Sequence, residues 1–427
     1  MVSSCPLITL AFIRNVRHAN GHSGPKRNTR SYRRSATFRL IFSIYVQFAS
    51  ILASSEMPDI FPQKRDAERF IDLLNSPHST IAAFIQRVTL HGPDLSPDFV
   101  DVTGPEDDYN LLNTLIINNL PLLLGVRSIT ISTITWRCLR PEAKAAIGSL
   151  PRVSAIRWKS TAFGHLSDLL VFSSTNFPSL EKLKIRLLKL TEPDVPSVRA
   201  LAGTTTSAPF PRVRFLDFRA DRGLRPLLSV SPSSFIRPQN METLCLGAVY
   251  QEHFSLVRDF VKAAGPALRR LALDIRKRAI DPTAENSAFP VSLNRNTNLE
   301  TLEISLIVAS QCTPFETSWL HAIIGSTASP VLKTMTFWFS ASSGLIHSFD
   351  FRSFEDSLVR RKDLPALARV NLKFAAGWWK EDQKYQLKED VNRLLPELHG
   401  RGMLDVCTLD PLPPSDEFDK WSPFGWC

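Results

Sequence analysis

The stretch Phe177-Pro-Ser-Leu-Glu-Lys-Leu-Lys-Ile185 contains the pattern from which the fold is predicted. Its first apolar residue after the proline, Leu180, defines position 0, and apolar residues follow at positions 3 and 5. Pro178 stands two residues before position 0. Proline cannot continue a helix or donate to a strand ladder, so it predicts that one segment ends there and an extended segment begins.

The same apolar triplet recurs from residue 85 to residue 409. Successive triplets start 27 to 41 residues apart, which is the spacing of a structural repeat. The eleven triplets are Ile85/Val88/Leu90, Val126/Ile129/Ile131, Val153/Ile156/Trp158, Leu180/Leu183/Ile185, Val213/Leu216/Phe218, Met241/Leu244/Leu246, Leu268/Leu271/Leu273, Leu299/Leu302/Ile304, Leu332/Met335/Phe337, Leu367/Val370/Leu372 and Leu404/Cys407/Leu409. Six of them share the proline register, where the 30 prolines of the chain would give about one by chance: Pro151, Pro178, Pro211, Pro266, Pro330 and Pro365.

The segments between the triplets carry helical periodicity, so each unit is predicted to be a short strand, a turn, an amphipathic helix and a turn. Helices are predicted over residues 66–74, 107–119, 252–264, 351–361 and 387–399, and loops over 191–210 and 281–297. Such a unit is too small to bury its own apolar faces and must stack on its neighbours. The sequence therefore predicts an α/β solenoid over residues 61–410, with parallel strands on the concave face and helices behind.

Polar residues between the triplet positions are predicted to face solvent and to offer a binding surface. The candidates on the strands are Lys182, Lys184, Arg214, Asp217, Arg269 and Arg270. Tryptophans near the carboxy terminus are candidate aromatic anchors, because interfaces are enriched in tryptophan: Trp378, Trp379, Trp421 and Trp426. Covering the end of the solenoid core is the alternative role for these four residues.

Three phrases look like degenerate leucine-rich repeats: the stretch that ends at Ile185, Phe210-Pro-Arg-Val-Arg-Phe-Leu-Asp-Phe218 and Asn298-Leu-Glu-Thr-Leu-Glu-Ile304. With residues 69–90, they resemble the F-box/leucine-rich-repeat-like proteins of mushroom-forming fungi. The resemblance covers about residues 61–410. It implies a leucine-rich-repeat solenoid that recognises a protein, as the substrate-recognition part of a ubiquitin-ligase adaptor.

The amino-terminal segment departs from that family. An F-box docks on the linker subunit of a cullin-based ligase, yet residues 1–60 show no Leu-Pro-x-Glu-type opening and no F-box helix pattern. A linker-subunit partner is therefore expected only if an F-box is present. The repeats also lack the asparagine that usually follows the leucine core, so other bonds must satisfy their turns.

The formal charge of +10 comes mostly from the amino-terminal leader, residues 1–60. Its first 55 residues hold eight of the 51 basic residues and none of the 41 acidic ones, which leaves 43 − 41, about +2, for the rest. A nearly neutral body argues against a nucleic-acid surface. The apolar stretch 40–55 is short for a membrane span. A poorly ordered leader is the main expectation, with mitochondrial targeting or a membrane anchor as alternatives.

No sequence motif indicates an enzyme, a cofactor or a metal. The six cysteines form no CxxC pair, and P-loop, GxGxxG, GxSxG, HExxH and EF-hand patterns are absent from the sequence. Dispersed cysteines and the lack of glycosylation sequons favour an intracellular protein, cytoplasmic or nuclear. The acidic run 105–108 fits the first turn of a helix, where carboxylates stabilise the helix dipole.

The expected function is therefore a non-enzymatic protein–protein interaction scaffold, whose last segment, residues 411–427, is an aromatic tail. Two alternatives stay open. One is an enzyme with an unrecognised site, and the other is association with nucleic acid or a membrane through the basic leader.

Overall fold

The computed structural model describes the strand at residues 42–46 and most of the chain from residue 85 to residue 409. The described ranges are 42–46, 85–92, 106–190, 210–219, 236–250, 253–277, 291–308, 318–340, 349–375 and 380–409, with single positions 74, 76 and 82. The chain divides into two compact units. The first comprises residues 1–181 and 185–193, and the second comprises residues 182–184 and 194–427.

Strands and helices alternate along much of the described chain. The strands are β1 (Phe42–Val46), β2 (Ile85–His91), β3 (Ser128–Ser132), β4 (Ala155–Lys159), β5 (Ala162–Phe163), β6 (Lys182–Arg186), β7 (Lys189–Leu190), β8 (Phe215–Arg219), β9 (Thr243–Val249), β10 (Arg270–Lys277), β11 (Thr301–Val308), β12 (Thr334–Ser340), β13 (Arg369–Ala375) and β14 (Leu404–Leu409). The α-helices are α1 (Glu106–Asn119), α2 (Pro141–Gly148), α3 (Leu166–Asn176), α4 (Phe254–Ala264), α5 (Ser318–Ser326), α6 (Phe351–Val359), α7 (Glu381–Leu394) and α8 (Pro396–Gly400).

Within each unit the strands of the larger sheet pair in chain order, while β5 and β7 form a separate two-stranded parallel sheet. In the first unit β2, β3 and β4 are parallel, while β1 runs antiparallel to β2. In the second unit the strands from β8 to β14 are parallel, each paired with the next. Parallel neighbours need a crossover connection, which helices such as α1, α2 and α4 provide. The prediction of an α/β fold with parallel strands is confirmed.

The apolar triplets form the core, as predicted. All three residues are buried in ten of the eleven triplets. The strand registers align equivalent positions, so that Val88 pairs with Ile129 and Ile129 with Ile156 in the first unit. In the second unit Leu302 pairs with Leu271 on one side and Met335 on the other. Like positions therefore stack on like positions.

The last triplet was predicted in the wrong register. Val370, at position 3 of its own triplet, pairs with Leu404, and Leu372 pairs with Val406. Leu404 is thus at position 3 of its unit and not at position 0, and Cys407 is only half-buried. Position 0 is occupied by Arg401, which is exposed. This repeat lacks an apolar residue at position 0. The apolar residues Leu404, Cys407 and Leu409, which begin three residues later, match the triplet spacing by chance.

The prolines of the repeat occupy the second position of a tight turn. The N–H at position 0 donates to the carbonyl three residues earlier, as from Leu180 to Phe177 at 3.0 Å and from Leu332 to Ser329 at 3.2 Å. The proline lies directly after the accepting residue, where its fixed φ suits a β-turn. The same bond forms without proline from Leu299 to Asn296, at 3.1 Å. Proline therefore favours this turn but is not required for it.

A second backbone bond links neighbouring repeats at six of the described junctions. The carbonyl at position 1 accepts the N–H groups at positions 1 and 2 of the following unit, and we call it the shared carbonyl. The oxygen of Glu242, for example, accepts from Arg269 at 2.8 Å and from Arg270 at 3.0 Å. The oxygens of Arg127, Arg214, Arg269, Glu300 and Lys333 each accept two N–H groups in the same way. This bond fixes the offset between neighbouring units.

In two repeats a polar side chain at the first residue of the turn makes hydrogen bonds to backbone carbonyls in place of the missing asparagine ladder. The buried Asn296 donates through Nδ2 to the carbonyls of Val261, at 3.1 Å, and Gly265, at 2.8 Å. The hydroxyl of Ser329 donates to the carbonyls of Thr297, at 2.9 Å, and Leu299, at 2.7 Å. These bonds satisfy backbone acceptors of the preceding unit that burial would otherwise leave unpaired.

The predicted helices at 107–119, 252–264 and 351–361 are confirmed within a few residues. The helix predicted at 387–399 is wrong in its limits: α7 begins at Glu381 and ends at Leu394, and α8 follows. Pro396 causes the break, because it lacks an N–H and disfavours the helical conformation of Leu395. The predictions at 66–74, 191–210 and 281–297 lie wholly or largely outside the described residues.

Arg361 closes the carboxy-terminal end of α5. Its guanidinium donates to the carbonyls of Ile324, at 2.7 Å, Gly325, at 2.9 Å, and Thr327, and it also pairs with Asp363. This pairing holds the pKa of the Asp363 carboxyl below its usual value. A cation at this end of a helix satisfies orphan carbonyls and complements the helix dipole.

We expect Arg361→Ala to lower the free energy of unfolding by about 2 kcal/mol, because helix carbonyls lose a charged donor. The neighbouring Arg360→Ala is the control. Among the described residues Arg360 pairs only with Asp356, at an exposed position, and such pairs contribute at most about 1 kcal/mol. Urea denaturation of both variants measures the difference. Equal loss of stability in the two variants would contradict the assigned role of Arg361.

Candidate partner-binding face

The side of β8–β13 opposite the apolar positions carries polar residues in register. Position 4 of these strands forms one row, which we call the central row: Asp217, Cys245, Ala272, Glu303, Thr336 and Asn371. All but Asn371 are buried. Long side chains at positions 2 and 6 flank this row, including those of Arg219, Arg270, Trp338 and Lys373. The face therefore has a largely buried central row, four of whose six residues are polar, bordered by larger, partly exposed side chains.

Asp217 is the most deeply buried acid of the central row, with none of its surface exposed. Its Oδ1 lies 3.0 Å from Nε of Arg219, whose side chain is 18% exposed. The prediction that Asp217 belongs to the surface offered to a partner is not supported by this position. A buried carboxylate needs a paired cation, and Arg219, two residues further on the same strand, supplies it.

Glu303 is the centre of a second group of charges, which we call the Glu303 cluster: Glu303, Arg270, Trp338 and Lys373. Nε1 of Trp338 donates to Oε1 of Glu303 at 2.6 Å, and Nη2 of Arg270 lies 3.6 Å from Oε2. Nζ of Lys373 lies 4.5 Å from the centroid of the Trp338 ring, a distance at which a cation and an aromatic face attract each other. Four side chains from four adjacent strands are thus held together.

Burial dominates the electrostatics of this cluster. It raises the pKa of the Glu303 carboxyl, whereas the Trp338 hydrogen bond and the charge of Arg270 act in the opposite direction. Trp338 itself is partly exposed. The outer part of the cluster can therefore be reached by a ligand while its acidic centre is shielded.

Cys245, in the central row, is not a nucleophile at neutral pH. Burial, followed by the negative charge of Asp217, raises the pKa of its thiol to about 12. The thiol is therefore protonated, and a thiol rather than a thiolate is a poor nucleophile and metal ligand. Cys245 contributes packing to the face.

The other strand candidates lie on the surface or at its edge. Lys182 is exposed, and Nζ of Lys184 lies 4.8 Å from the centroid of the Phe215 ring. Arg214 and Arg269, at position 1, pair with glutamates of the following units. Arg214 lies 3.4 Å from Glu242, and Arg269 lies 3.7 Å from Glu300. Arg270 alone belongs to the Glu303 cluster.

The four tryptophan candidates, Trp378, Trp379, Trp421 and Trp426, lie outside the described residues. Sequence reasoning missed the tryptophan that does lie on the strand face, Trp338, together with Glu303 and Lys373. A signal for them was available. Trp338 stands at position 6, one residue after a buried position, and alternation along a strand places it on the outer side.

Two histidines lie at helix starts. His165 directly precedes α3, and its backbone N–H donates to Asp168 at 3.3 Å. The buried His253 precedes α4, and its Nδ1 accepts the N–H of Tyr250 at 3.2 Å. Among the described residues, no three His, Cys, Asp or Glu side chains are grouped so that they could hold a metal ion.

No helix in the described part of the chain is long and apolar enough to cross a membrane. The chain matches no protein-family model, and no curated protein matches it. The Glu303 cluster is therefore interpreted from its own geometry.

We expect the pH dependence of stability to reveal the buried state of Glu303. A raised pKa favours folding below the unfolded pKa, and this contribution is lost as the pH rises through the folded pKa. The wild type should therefore lose stability relative to Glu303→Gln as the pH rises from about 4.5. Denaturant unfolding of both proteins from about pH 4 to pH 8 measures this difference. A difference that does not change with pH would contradict the burial of an ionisable group at this position.

Proposed function

We propose that this protein is a non-enzymatic interaction scaffold, built as a degenerate leucine-rich-repeat solenoid, that binds a protein on the strand face of its second unit. Support for the repeat architecture comes from the recurring turn, the shared carbonyl and the stacked apolar triplets. Each repeats from unit to unit with only small changes. A row of equivalent strand positions then offers an extended surface to a partner.

The Glu303 cluster is the main reason for placing the partner on the strand face of the second unit. Interface hot spots are enriched in tryptophan and arginine and lie in well-packed, largely desolvated surroundings. Trp338 and Arg270 fit that description, because Glu303 holds the indole N–H and the guanidinium from below. A side chain fixed before binding loses less conformational entropy when the partner docks.

The flanking charges favour a protein partner over a small molecule. Lys373 stands against the Trp338 ring, and position 1 alternates in sign through the exposed Arg214, the half-buried Glu242 and the exposed Arg269. Mixed charge around a partly apolar centre is the usual composition of a protein–protein interface rim. Such a rim contributes specificity and association rate more than affinity.

Affinity capture from a lysate of the source cells tests this proposal. The full chain is the bait, alongside Trp338→Ala and the control Tyr385→Ala. Tyr385 is a 67% exposed aromatic residue on α7. We expect a set of proteins that the wild type and Tyr385→Ala retain and that Trp338→Ala loses, because only Trp338 lies on the strand face. The same proteins captured by all three baits would contradict a binding role for this face.

A ligase-adaptor role stays a prediction from the family resemblance. The segment that would carry an F-box, residues 1–60, lies outside the described residues except for β1. Co-purification of the full chain with the linker subunit of a cullin-based ligase would support this role, and failure to co-purify would oppose it. The scaffold proposal does not depend on that outcome.

A further inference from the structure

The outer face of β2, β3 and β4, in the first unit, has a regular arrangement of basic and hydroxyl side chains. The registers place nine residues in three rows: Arg87, Ser128 and Ala155; Thr89, Thr130 and Arg157; His91, Ser132 and Lys159. All of them alternate with buried apolar residues, so they lie on the side opposite the core. The middle strand contributes only short hydroxyl side chains, whereas the two outer strands contribute the long basic ones.

This arrangement forms a shallow trough along β3. Neighbouring strands are about 4.8 Å apart, so the basic side chains of β2 and β4 rise on either side of the hydroxyl row about 10 Å from each other. Arg87 is exposed, and Arg157, Lys159 and His91 are half-buried. The nine positions hold two arginines, one lysine and one histidine, and no acid.

Local contacts hold the edges of the trough in place. The hydroxyl of Thr133, just after β3, lies 3.0 Å from Nδ1 of His91, and this nitrogen is 2.8 Å from the carbonyl of Gly92. Arg87, Arg157 and Lys159 also interact within the protein. A ligand would therefore add to side chains that are already positioned, which lowers the entropic cost of binding.

We propose that this trough binds an extended peptide segment with acidic side chains at alternate positions. Alternate residues of an extended chain lie about 6.6 Å apart, which equals the spacing of the trough rows along β3. Carboxylates on one side of such a peptide therefore meet Arg87 and Lys159 and are attracted by the charge of Arg157, whose Nε and Nη2 atoms are buried. The hydroxyls of Ser128 and Thr130 donate hydrogen bonds between them. Arginine suits this role because its planar guanidinium can bind a carboxylate with two parallel bonds.

A single-stranded nucleic acid fits the trough less well than a peptide. Proteins that bind such strands combine basic grooves with aromatic side chains on which the bases stack. The nine positions carry no aromatic ring other than the imidazole of His91. The trough lies in the first unit and its residues are separate from the Glu303 cluster, so this proposal is independent of the proposed function.

Fluorescence polarisation with the full chain tests the proposal. The probe is a labelled peptide of alternating glutamate and serine, about twelve residues long, which exceeds the length of β3. The variant Arg87→Gln/Arg157→Gln/Lys159→Gln removes three charges from the trough. The control Arg30→Gln/Arg33→Gln/Arg34→Gln removes three charges from the amino-terminal segment. Thr130→Glu, a further variant, places an acid in the trough without removing a basic residue.

We expect the trough variant and Thr130→Glu to bind the peptide at least about tenfold more weakly than the wild type, and the control to bind like the wild type. Binding should weaken as sodium chloride is added, because salt screens partly exposed charges. Thermal unfolding identifies variants that fail to fold, and Thr130→Glu decides the question if the triple trough variant is one of them. The proposal is wrong if the control loses as much affinity as the trough variants. It is also wrong if oligothymidylate binds more tightly than the peptide through the same residues.

Discussion

The structure depends on one backbone interaction, the hydrogen bonds by which the carbonyl at position 1 accepts two N–H groups from the following repeat. It recurs in both units of the protein, at Arg127 in the first and at Glu242, Arg269 and Glu300 in the second. Since the bond uses only main-chain atoms, it fixes the offset between neighbouring strands without restricting the side chain at position 1. Positions 3 and 5 then fall opposite the same positions of the next strand, and the apolar triplets stack into a continuous core within each unit.

This constraint explains why the apolar positions recur from repeat to repeat while the residues of the outer face differ. Positions 3 and 5 must be apolar, because each lies between two buried neighbours. Positions 2, 4 and 6 point to the other side and carry no such requirement. In the first unit these positions form the trough, with basic side chains on either side of a row of hydroxyls. In the second unit they place buried acids such as Asp217 and Glu303 next to arginines. The same backbone thus supports two chemically different surfaces.

Much of the fold follows from the sequence, because the turn and the triplet are local patterns. The proline register located the turn, and burial of Leu180, Leu183 and Ile185 follows from the strand that the turn begins. The register predicted for the last repeat was wrong because Arg401 stands at position 0, so the local pattern alone could not determine it. The helix break at Pro396 was visible in the sequence but was outweighed by the apolar periodicity on both sides of it.

The candidate site was only partly predictable, because it depends on which residues share a row across strands. Arg270 was a candidate, but its partners Glu303 and Trp338 lie 33 and 68 residues further along the chain and are brought to it only by the strand registers. Asp217 was expected at the surface, since a charged residue between apolar positions usually faces solvent. Its burial depends on Arg219 two residues later, which no periodicity indicates.

Native-state hydrogen exchange of the position-1 amides tests whether the shared carbonyl holds neighbouring repeats together. Arg269 and Lys333 have side chains that are 66% and 63% exposed, yet their N–H groups donate to shared carbonyls. We expect these amides to exchange at least about a thousandfold more slowly than in an unstructured peptide, because they open only when neighbouring repeats separate. Exchange of both amides at the rate of an unstructured peptide would contradict it.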